Sequence, residues 1–192
     1  MGVFSELLHE IIKQKDEVEL MDQMEAKLGE DLCVLAEQVI PGLKKLFPDL
    51  PAPPVLNTME ALARLRQAVC NWVSFVSQTL TNRSIVIFMD DLHWADDNSI
   101  SMIRSMVSLT SVSIFFLFAA RENEISGKEA NALLNAESSS KKITLGPLSS
   151  ASIANIIGEM TGSDPIHMQG LAEVVALKTQ GNPFFVTQVS SV

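Results

Sequence analysis

Positive charge and cysteine are both scarce in this sequence, and each shortage excludes a class of function. The 192 residues include 14 Lys and Arg against 23 Asp and Glu, for a net charge of −9. A chain this acidic gains nothing by displacing counterions from a nucleic-acid backbone, so we expect no DNA or RNA partner. The two cysteines, Cys33 and Cys70, lie in apolar helical patterns without a C-x-x-C spacing. They predict buried thiols in a reducing, cytoplasmic compartment rather than a disulfide framework.

Long apolar runs are also missing. The most apolar stretch, 112–120, has nine residues, whereas a membrane helix needs roughly 20. Residues 1–10 lack the basic start and the apolar run of a secretory signal. We therefore expect no membrane segment. At 47% hydrophobic residues, the chain nevertheless has ample material for the core of one domain, or of one domain with a small addition.

Three common catalytic motifs are absent. His9-Glu10 begins like the zinc-protease pattern H-E-x-x-H, but Lys13 stands where the second histidine belongs. The sequence has no G-x-S-x-G nucleophile turn and no G-x-G-x-x-G dinucleotide turn. A transcription regulator would need a helix-turn-helix and a basic face, and neither is visible. The chemistry must therefore be sought in other patterns.

The spacing of apolar residues predicts helices at both ends of the chain and short strands between them. The runs that end at Met89 and at Ala119 are continuously apolar and rich in β-branched or aromatic residues, a pattern typical of strands buried on both faces. The proline-rich segment 48–57 predicts an extended connection. The predicted helices lie within 3–47 and at 59–80, 97–109, 127–136, 151–160, 166–178 and 184–189; the predicted strands lie near 85–89, 112–119 and 143–145.

Strands that alternate with helices and are followed by helices alone indicate an α/β fold with a parallel sheet and a helical addition. We accordingly expect three segments: a helical region over 1–80, an α/β core over 81–148, and a second helical region over 149–192. In such sheets, ligands bind beyond the carboxyl ends of the strands, so the residues that follow each strand are the ones that can carry chemistry.

Two adjacent carboxylates, Asp90 and Asp91, follow the first predicted strand. Such a pair is costly at the end of a buried strand unless a cation neutralises it. A hydrated Mg²⁺ held on nucleotide phosphates is one such cation. The alternative is a strand that simply ends in an aspartate turn.

The complete string IVIFMDDLHWAD resembles the Walker B segment of STAND-type, origin-recognition-like AAA ATPases, in which apolar residues precede D-D-L-H-W-A-D. Further along, FFLFAAR is similar to the family's next strand, which ends in a sensor arginine, and ITLGPLS is similar to its third strand and lid entry. QGNPFFV is similar to the lid motif near the nucleotide base. The motifs follow the family's order over 85–186, and the helical region before them is similar to the family's insert.

The resemblance implies a partial P-loop NTPase fold, a three-layer parallel sheet with an N-terminal helical insert over 1–80 and a C-terminal helical lid over 149–192. It implies that Asp90 orients Mg²⁺, Asp91 activates water and Arg121 contacts the γ-phosphate of ATP. The alternative for Arg121 is a surface salt bridge with Glu122 or Glu124.

The resemblance further implies that Gly181, Asn182 and Pro183 lie near the nucleotide base. For Pro183 the alternative is a proline that starts a helix. Around the Walker B string, we expect His93 to hydrogen-bond locally or to sense the site, Trp94 to pack and anchor the loop, and Asp96 to cap the following helix.

One departure from the family pattern matters most: the sequence has no phosphate-binding loop, G-x-x-x-x-G-K-[ST]. Its single Gly-Lys pair, Gly127-Lys128, follows Walker B and is continued by Glu129. We therefore expect weak or absent binding of ATP and Mg²⁺, and a 143–145 strand without its natural neighbour. These features predict a fragment of a regulatory ATPase, completed by other domains of a larger signalling protein or by another chain. The alternative is a non-catalytic interaction domain derived from an ATPase fold.

Overall fold

A computed structural model describes residues 2–80, 84–110, 112–125 and 140–190. The chain divides into two compact units, Met1–Ser140 and Lys141–Val192, each described by itself below. The helix predicted over 127–136 lies outside the described residues.

The first unit begins with helices, as predicted for 3–47. Asp16 caps the helix Glu17–Leu28 by accepting hydrogen bonds from two backbone N–H groups. Pro41-Gly42 separates the helix Asp31–Gln38 from a single-turn helix, Leu43–Leu46. Residues 51–57 form the predicted extended connection. The helices are α1 (Val3–Ile12), α2 (Glu17–Leu28), α3 (Asp31–Gln38), α4 (Leu43–Leu46) and α5 (Thr58–Thr79).

The long helix α5 forms the centre of the first unit. Asn57 caps it, since its side-chain oxygen accepts the Glu60 N–H at 3.0 Å. One face of this helix is apolar, and Trp72, Val73 and Val76 on that face are buried in a core that α1, α2 and α3 also supply. Within the described ranges, no helix has the length and apolar character needed to cross a membrane.

Two of the predicted strands form a parallel pair. β1 (Ile85–Met89) lies beside β2 (Ile114–Phe118), with Ile85 opposite Ile114, and α6 (Asp97–Val107) connects them. The prediction of a strand at 143–145 is wrong: residues 141–149 have no regular secondary structure, and Ile143 and Leu145 are exposed. A strand needs a neighbour for its hydrogen bonds, and the described part of the second unit otherwise contains helices. The described chain is therefore mostly helical, with a small parallel sheet that is compatible with an α/β fold.

In the described part of the first unit, the hydrophobic core covers one face of this sheet. Ile85 and Ile87 are buried in the same cluster as the core residues of α6. The prediction of strands buried on both faces is wrong, because the alternate residues are exposed; within the described residues no helix covers this second face. The exposed fractions are 61% for Val86, 54% for Phe88, 61% for Phe115 and 48% for Leu117.

The second unit is a small helical cluster with its own core. It contains α7 (Ser150–Thr161), a 3₁₀ turn (Pro165–Met168), α8 (Gln169–Thr179) and α9 (Pro183–Ser190). Ser149 caps α7, since its hydroxyl accepts the Ser152 N–H at 3.1 Å. The core consists of Ile153, Ala154, Ile157, Ala172, Val175 and Val186.

Candidate functional site

The segments that follow the two strands are joined by hydrogen bonds. Ala119 donates its N–H to the Met89 carbonyl at 2.9 Å, and its own carbonyl accepts the Leu92 N–H at 2.9 Å. Beyond this pair, the Arg121 N–H is donated to His93 Nδ1 at 3.3 Å. The carboxyl ends of β1 and β2 thus bring the acidic pair and the predicted sensor arginine into one loop cluster, as expected for neighbouring parallel strands.

The acidic pair forms the turn that leaves β1. Asp90 is exposed, and one of its carboxylate oxygens accepts the Asp91 N–H at 2.8 Å. Asp91 is half-buried and has φ 51° and ψ 41°, a left-handed conformation. Aspartate and asparagine adopt this conformation more readily than other residues with a Cβ. The residue type at position 91 therefore suits both the turn into the 3₁₀ segment Leu92–Trp94 and the presentation of a carboxylate.

His93 occupies the middle of the cluster. Its side chain is only 1% exposed. Because Nδ1 accepts the Arg121 N–H, the neutral ring carries its proton on Nε2. That nitrogen lies 3.2 Å from Glu124 Oε2 and 3.7 Å from Asp91 Oδ1, yet neither contact has hydrogen-bond geometry. The expected local hydrogen bond is therefore present at Nδ1, while a second, unpartnered nitrogen faces two carboxylates.

Arg121 forms the salt bridge that was considered as the alternative to a phosphate contact. Its Nη1 lies 2.9 Å from Glu124 Oε1. The hydrogen bond and the charge of Glu124, and more weakly the charge of Asp91, raise the pKa of the Arg121 guanidinium above its usual range. Since the arginine side chain is 62% exposed, water screens this pair and the pair adds little to stability.

The two remaining predictions on this loop have opposite outcomes. Trp94 is 72% exposed, so its expected role as a packed anchor is wrong; its ring centroid lies 5.1 Å from that of the His93 ring. Asp96 caps α6 as predicted, and its carboxylate accepts the Ser99 N–H at 2.7 Å. Hydrogen bonds from Ser99 lower the pKa of Asp96.

In the second unit, the Gly-Asn-Pro turn starts α9. Gly181 has φ 69°, and its carbonyl accepts the Leu148 N–H at 2.8 Å. The Asn182 side chain accepts the Phe184 N–H at 3.0 Å, and Pro183 is the first residue of the helix. Each residue of the turn therefore has a local structural role: a left-handed turn, a helix cap and a helix start.

A hollow opens beside this turn. It has a volume of about 450 Å³, within the range of small-molecule sites, and it is open to solvent. The segments that line it are 145–147 and 178–183 together with Phe185, and they include parts of the two strings ITLGPLS and QGNPFFV. The fold of this unit thus brings the two motifs together.

Glu124 is the member of the site whose role the sequence did not reveal. The sequence suggested it only as a surface partner for Arg121, whereas in the structure it lies between Arg121 and His93. A signal was available: Glu124 follows β2 and His93 follows β1, so both lie beyond the carboxyl ends of neighbouring strands.

Across the described ranges, no three His, Cys, Asp or Glu side chains are grouped so that they could hold a metal ion by themselves. Comparisons of the chain with models of known protein families, with curated proteins and with solved structures found no match. The geometry of the loop cluster and the sequence motifs are therefore the observations that bear on function.

Proposed function

We propose that this chain is part of a STAND-type AAA ATPase domain, with a P-loop NTPase sheet that other elements complete, and that the whole domain uses ATP hydrolysis as a signalling switch. The observation that carries the proposal is the position of the acidic pair and the arginine. Asp90 and Asp91 leave one parallel strand, Arg121 leaves its neighbour, and hydrogen bonds join the two exits. Acids and a cation at this edge are what the hydrolysis of a Mg²⁺-bound triphosphate requires.

Asp90 suits a hydrated magnesium ion. Mg²⁺ retains several waters and is usually held by one or two carboxylates together with substrate phosphates, rather than by a full set of protein ligands. Asp90 is exposed and offers a second carboxylate oxygen besides the one that accepts the Asp91 N–H. When bound, the ion would neutralise charge on the phosphate oxygens.

Asp91 and Arg121 supply the remaining roles. The half-buried Asp91 carboxylate accepts a proton from, or orients, the attacking water. The Arg121 guanidinium stabilises charge on the γ-phosphate, a contact that a planar, always-charged group makes well. To do so it must exchange its present partner, Glu124. In the second unit, the hollow beside Gly181, Asn182 and Pro183 supports a role for this turn in binding the nucleotide base.

The sequence has no phosphate-binding loop, so this chain alone should bind ATP poorly. The backbone N–H groups and the lysine of such a loop supply most of the contacts to the phosphates. Calorimetric titration of the purified chain with ATP and Mg²⁺ should show no binding at micromolar concentrations. Micromolar affinity would contradict the argument that the chain lacks its phosphate cradle.

The function is tested with the coding DNA upstream of Met1. An in-frame G-x-x-x-x-G-K-[ST] after an apolar strand supports the proposal, and the extended protein should then release phosphate from ATP. In that protein Asp91→Asn should slow phosphate release by roughly 100-fold or more, the usual contribution of a general base. Asparagine also tolerates the left-handed backbone at position 91, so the fold should persist. Asp97→Asn, at an exposed acid in the first turn of α6, is the matched control and should change the rate little.

A second candidate, a non-catalytic interaction domain, is favoured by the uncovered apolar face of the sheet. The four exposed side chains on that face come from both strands. A stop codon in place of an upstream phosphate loop would favour this candidate, as would an extended protein that binds no ATP.

A further inference from the structure

The two carboxylate oxygens of Glu124 lie close to two different side chains, those of Arg121 and His93. Oε1 lies 2.9 Å from Arg121 Nη1, and Oε2 lies 3.2 Å from His93 Nε2. Glu124 is itself held in the 3₁₀ turn Glu122–Glu124, since its N–H is donated to the Arg121 carbonyl at 3.0 Å. One side chain thus bridges the arginine after β2 and the histidine after β1.

The contact of Glu124 with Arg121 and its contact with His93 differ in exposure to solvent and in how firmly the partner is held. The Arg121 pair is exposed on both sides, so it is easily exchanged. The His93 ring is almost fully enclosed and fixed by its hydrogen bond to the Arg121 backbone. Among the residues that the structure describes, its Nε2 has no hydrogen-bond partner, which is costly for an enclosed donor. The ring is therefore a fixed site at which the carboxylate gains a hydrogen bond if it moves by a small amount.

We propose that Glu124 is a positioning residue that holds the Arg121 side chain until a phosphate arrives, and then turns fully to His93. The inference rests on the proposed function, because it takes Arg121 as the phosphate contact. A phosphate carries more charge than a carboxylate and accepts a guanidinium in bidentate geometry, so it competes well for Arg121. The freed carboxylate then satisfies His93 Nε2, which offsets the loss of the salt bridge.

The test uses inorganic tripolyphosphate as the probe and ¹⁵N NMR of the complete chain. Because the sequence has no phosphate-binding loop, the titration runs into the millimolar range, where weak binding to Arg121 is measurable. In the wild type, added tripolyphosphate should shift the Arg121 side-chain signal and, together with it, the His93 Nε2 signal. In Glu124→Gln, the carboxylate that competes for Arg121 is gone, so the apparent affinity should rise about three- to fivefold, as expected for an exposed pair. The coupled shift of His93 should disappear, a change that a purely structural role for Glu124 would not produce.

Two further variants keep the result interpretable. Glu17→Gln removes the same charge from the exposed start of α2 and should leave the affinity close to that of the wild type. Glu124→Asp keeps the charge but shortens the side chain, so it cannot reach both partners at once. Its affinity should lie between those of the wild type and Glu124→Gln.

The outcomes separate this inference from the proposed function. Equal affinities of wild type and Glu124→Gln, or a His93 signal that does not follow Arg121, overturn the inference and leave Arg121 as a phosphate contact. If tripolyphosphate shifts Arg121 in neither protein, both the inference and the proposed role of Arg121 are contradicted.

Discussion

At the scale of single residues, the site depends on side chains that connect backbone segments. His93 accepts a backbone N–H from the segment after β2, although it belongs to the loop after β1. Asp91 adopts the left-handed conformation that turns the chain toward His93. The string DDLHWAD therefore has a structural reason for two of its residues besides any chemistry. An acidic residue with a turn-forming role can still carry a catalytic one, and the kinetic test of Asp91→Asn distinguishes them.

Gly181 offers a residue-scale prediction about the second unit. A Cβ at this position would lie 2.6 Å from the Leu148 carbonyl oxygen, and φ is 69°. We expect Gly181→Ala to destabilise the unit by about 1–3 kcal/mol, because strain in the left-handed backbone adds to the clash. Urea denaturation followed by circular dichroism measures the change.

Gly146→Ala is the matched control, since Gly146 belongs to the same hollow but a Cβ there would meet nothing within 4 Å. Its free energy of unfolding should stay within about 0.5 kcal/mol of the wild-type value. If both substitutions are neutral, the close approach of Leu148 does not explain why position 181 is a glycine, and a ligand contact becomes the better explanation.

At the scale of elements, the two strands have one face in the core and one in solvent. This geometry gives a prediction with a built-in control. Phe115→Thr removes an aromatic ring that is 61% exposed, so stability should change by less than about 1 kcal/mol. Ile87→Thr places a hydroxyl in the core, 2% exposed in the wild type, and should cost about 2–4 kcal/mol.

The same pair of variants probes the uncovered face itself. Binding of a hydrophobic dye, and self-association measured by sedimentation, should decrease in Phe115→Thr, because exposed apolar patches promote both. Ile87→Thr should not decrease them. A large loss of stability in Phe115→Thr would show that the chain covers this face in solution.

Much of the element pattern could be predicted from the sequence, because local signals determine it. The caps at Asn57, Asp96 and Ser149 are short-range hydrogen bonds, and the apolar run before Asp90 is a strong strand signal. The burial of both sheet faces could not be predicted, because a continuous apolar run does not reveal whether a second layer is present. The prediction of a strand at 143–145 is wrong for a similar reason. A strand needs a neighbouring strand for its hydrogen bonds, and the sequence alone does not show whether one is present.

The candidate site was predictable in part. The order of residues placed Asp90, Asp91 and Arg121 beyond strand ends, and the parallel pairing of β1 and β2 brings those ends together. The link through Glu124 and His93 was not predictable, because it depends on side-chain reach between two loops. Trp94 was misjudged because a large aromatic side chain is usually packed, whereas here it lies on the outer side of the loop.

At the scale of the whole molecule, the chain has two hydrophobic cores in two compact units. The core of the first unit is built around α5 and includes β1 and α6, so the helical region before residue 80 and the strands share one cluster. The second core is much smaller. A small core leaves less apolar burial to offset chain entropy, so we expect the second unit to unfold at lower denaturant concentration.

This expectation is testable with one core substitution in the second unit. Ile153 is fully buried between its helices, and Ile153→Ala should cost about 2–5 kcal/mol, the usual range for a large core residue cut to alanine. Hydrogen–deuterium exchange read by mass spectrometry should show faster exchange over 150–190 and unchanged exchange in α5. Ile166→Ala, at a position 80% exposed in the same unit, should leave exchange unaltered in both units.

The pattern of exchange then shows whether the two cores unfold separately or together. Faster exchange confined to 150–190 means that the second unit opens while the first stays folded, as local unfolding of a separate cooperative unit predicts. Equally faster exchange in α5 would mean that the two cores unfold as one, contrary to this prediction. Separate unfolding is compatible with the proposed switch, in which one part of the domain changes while another stays fixed.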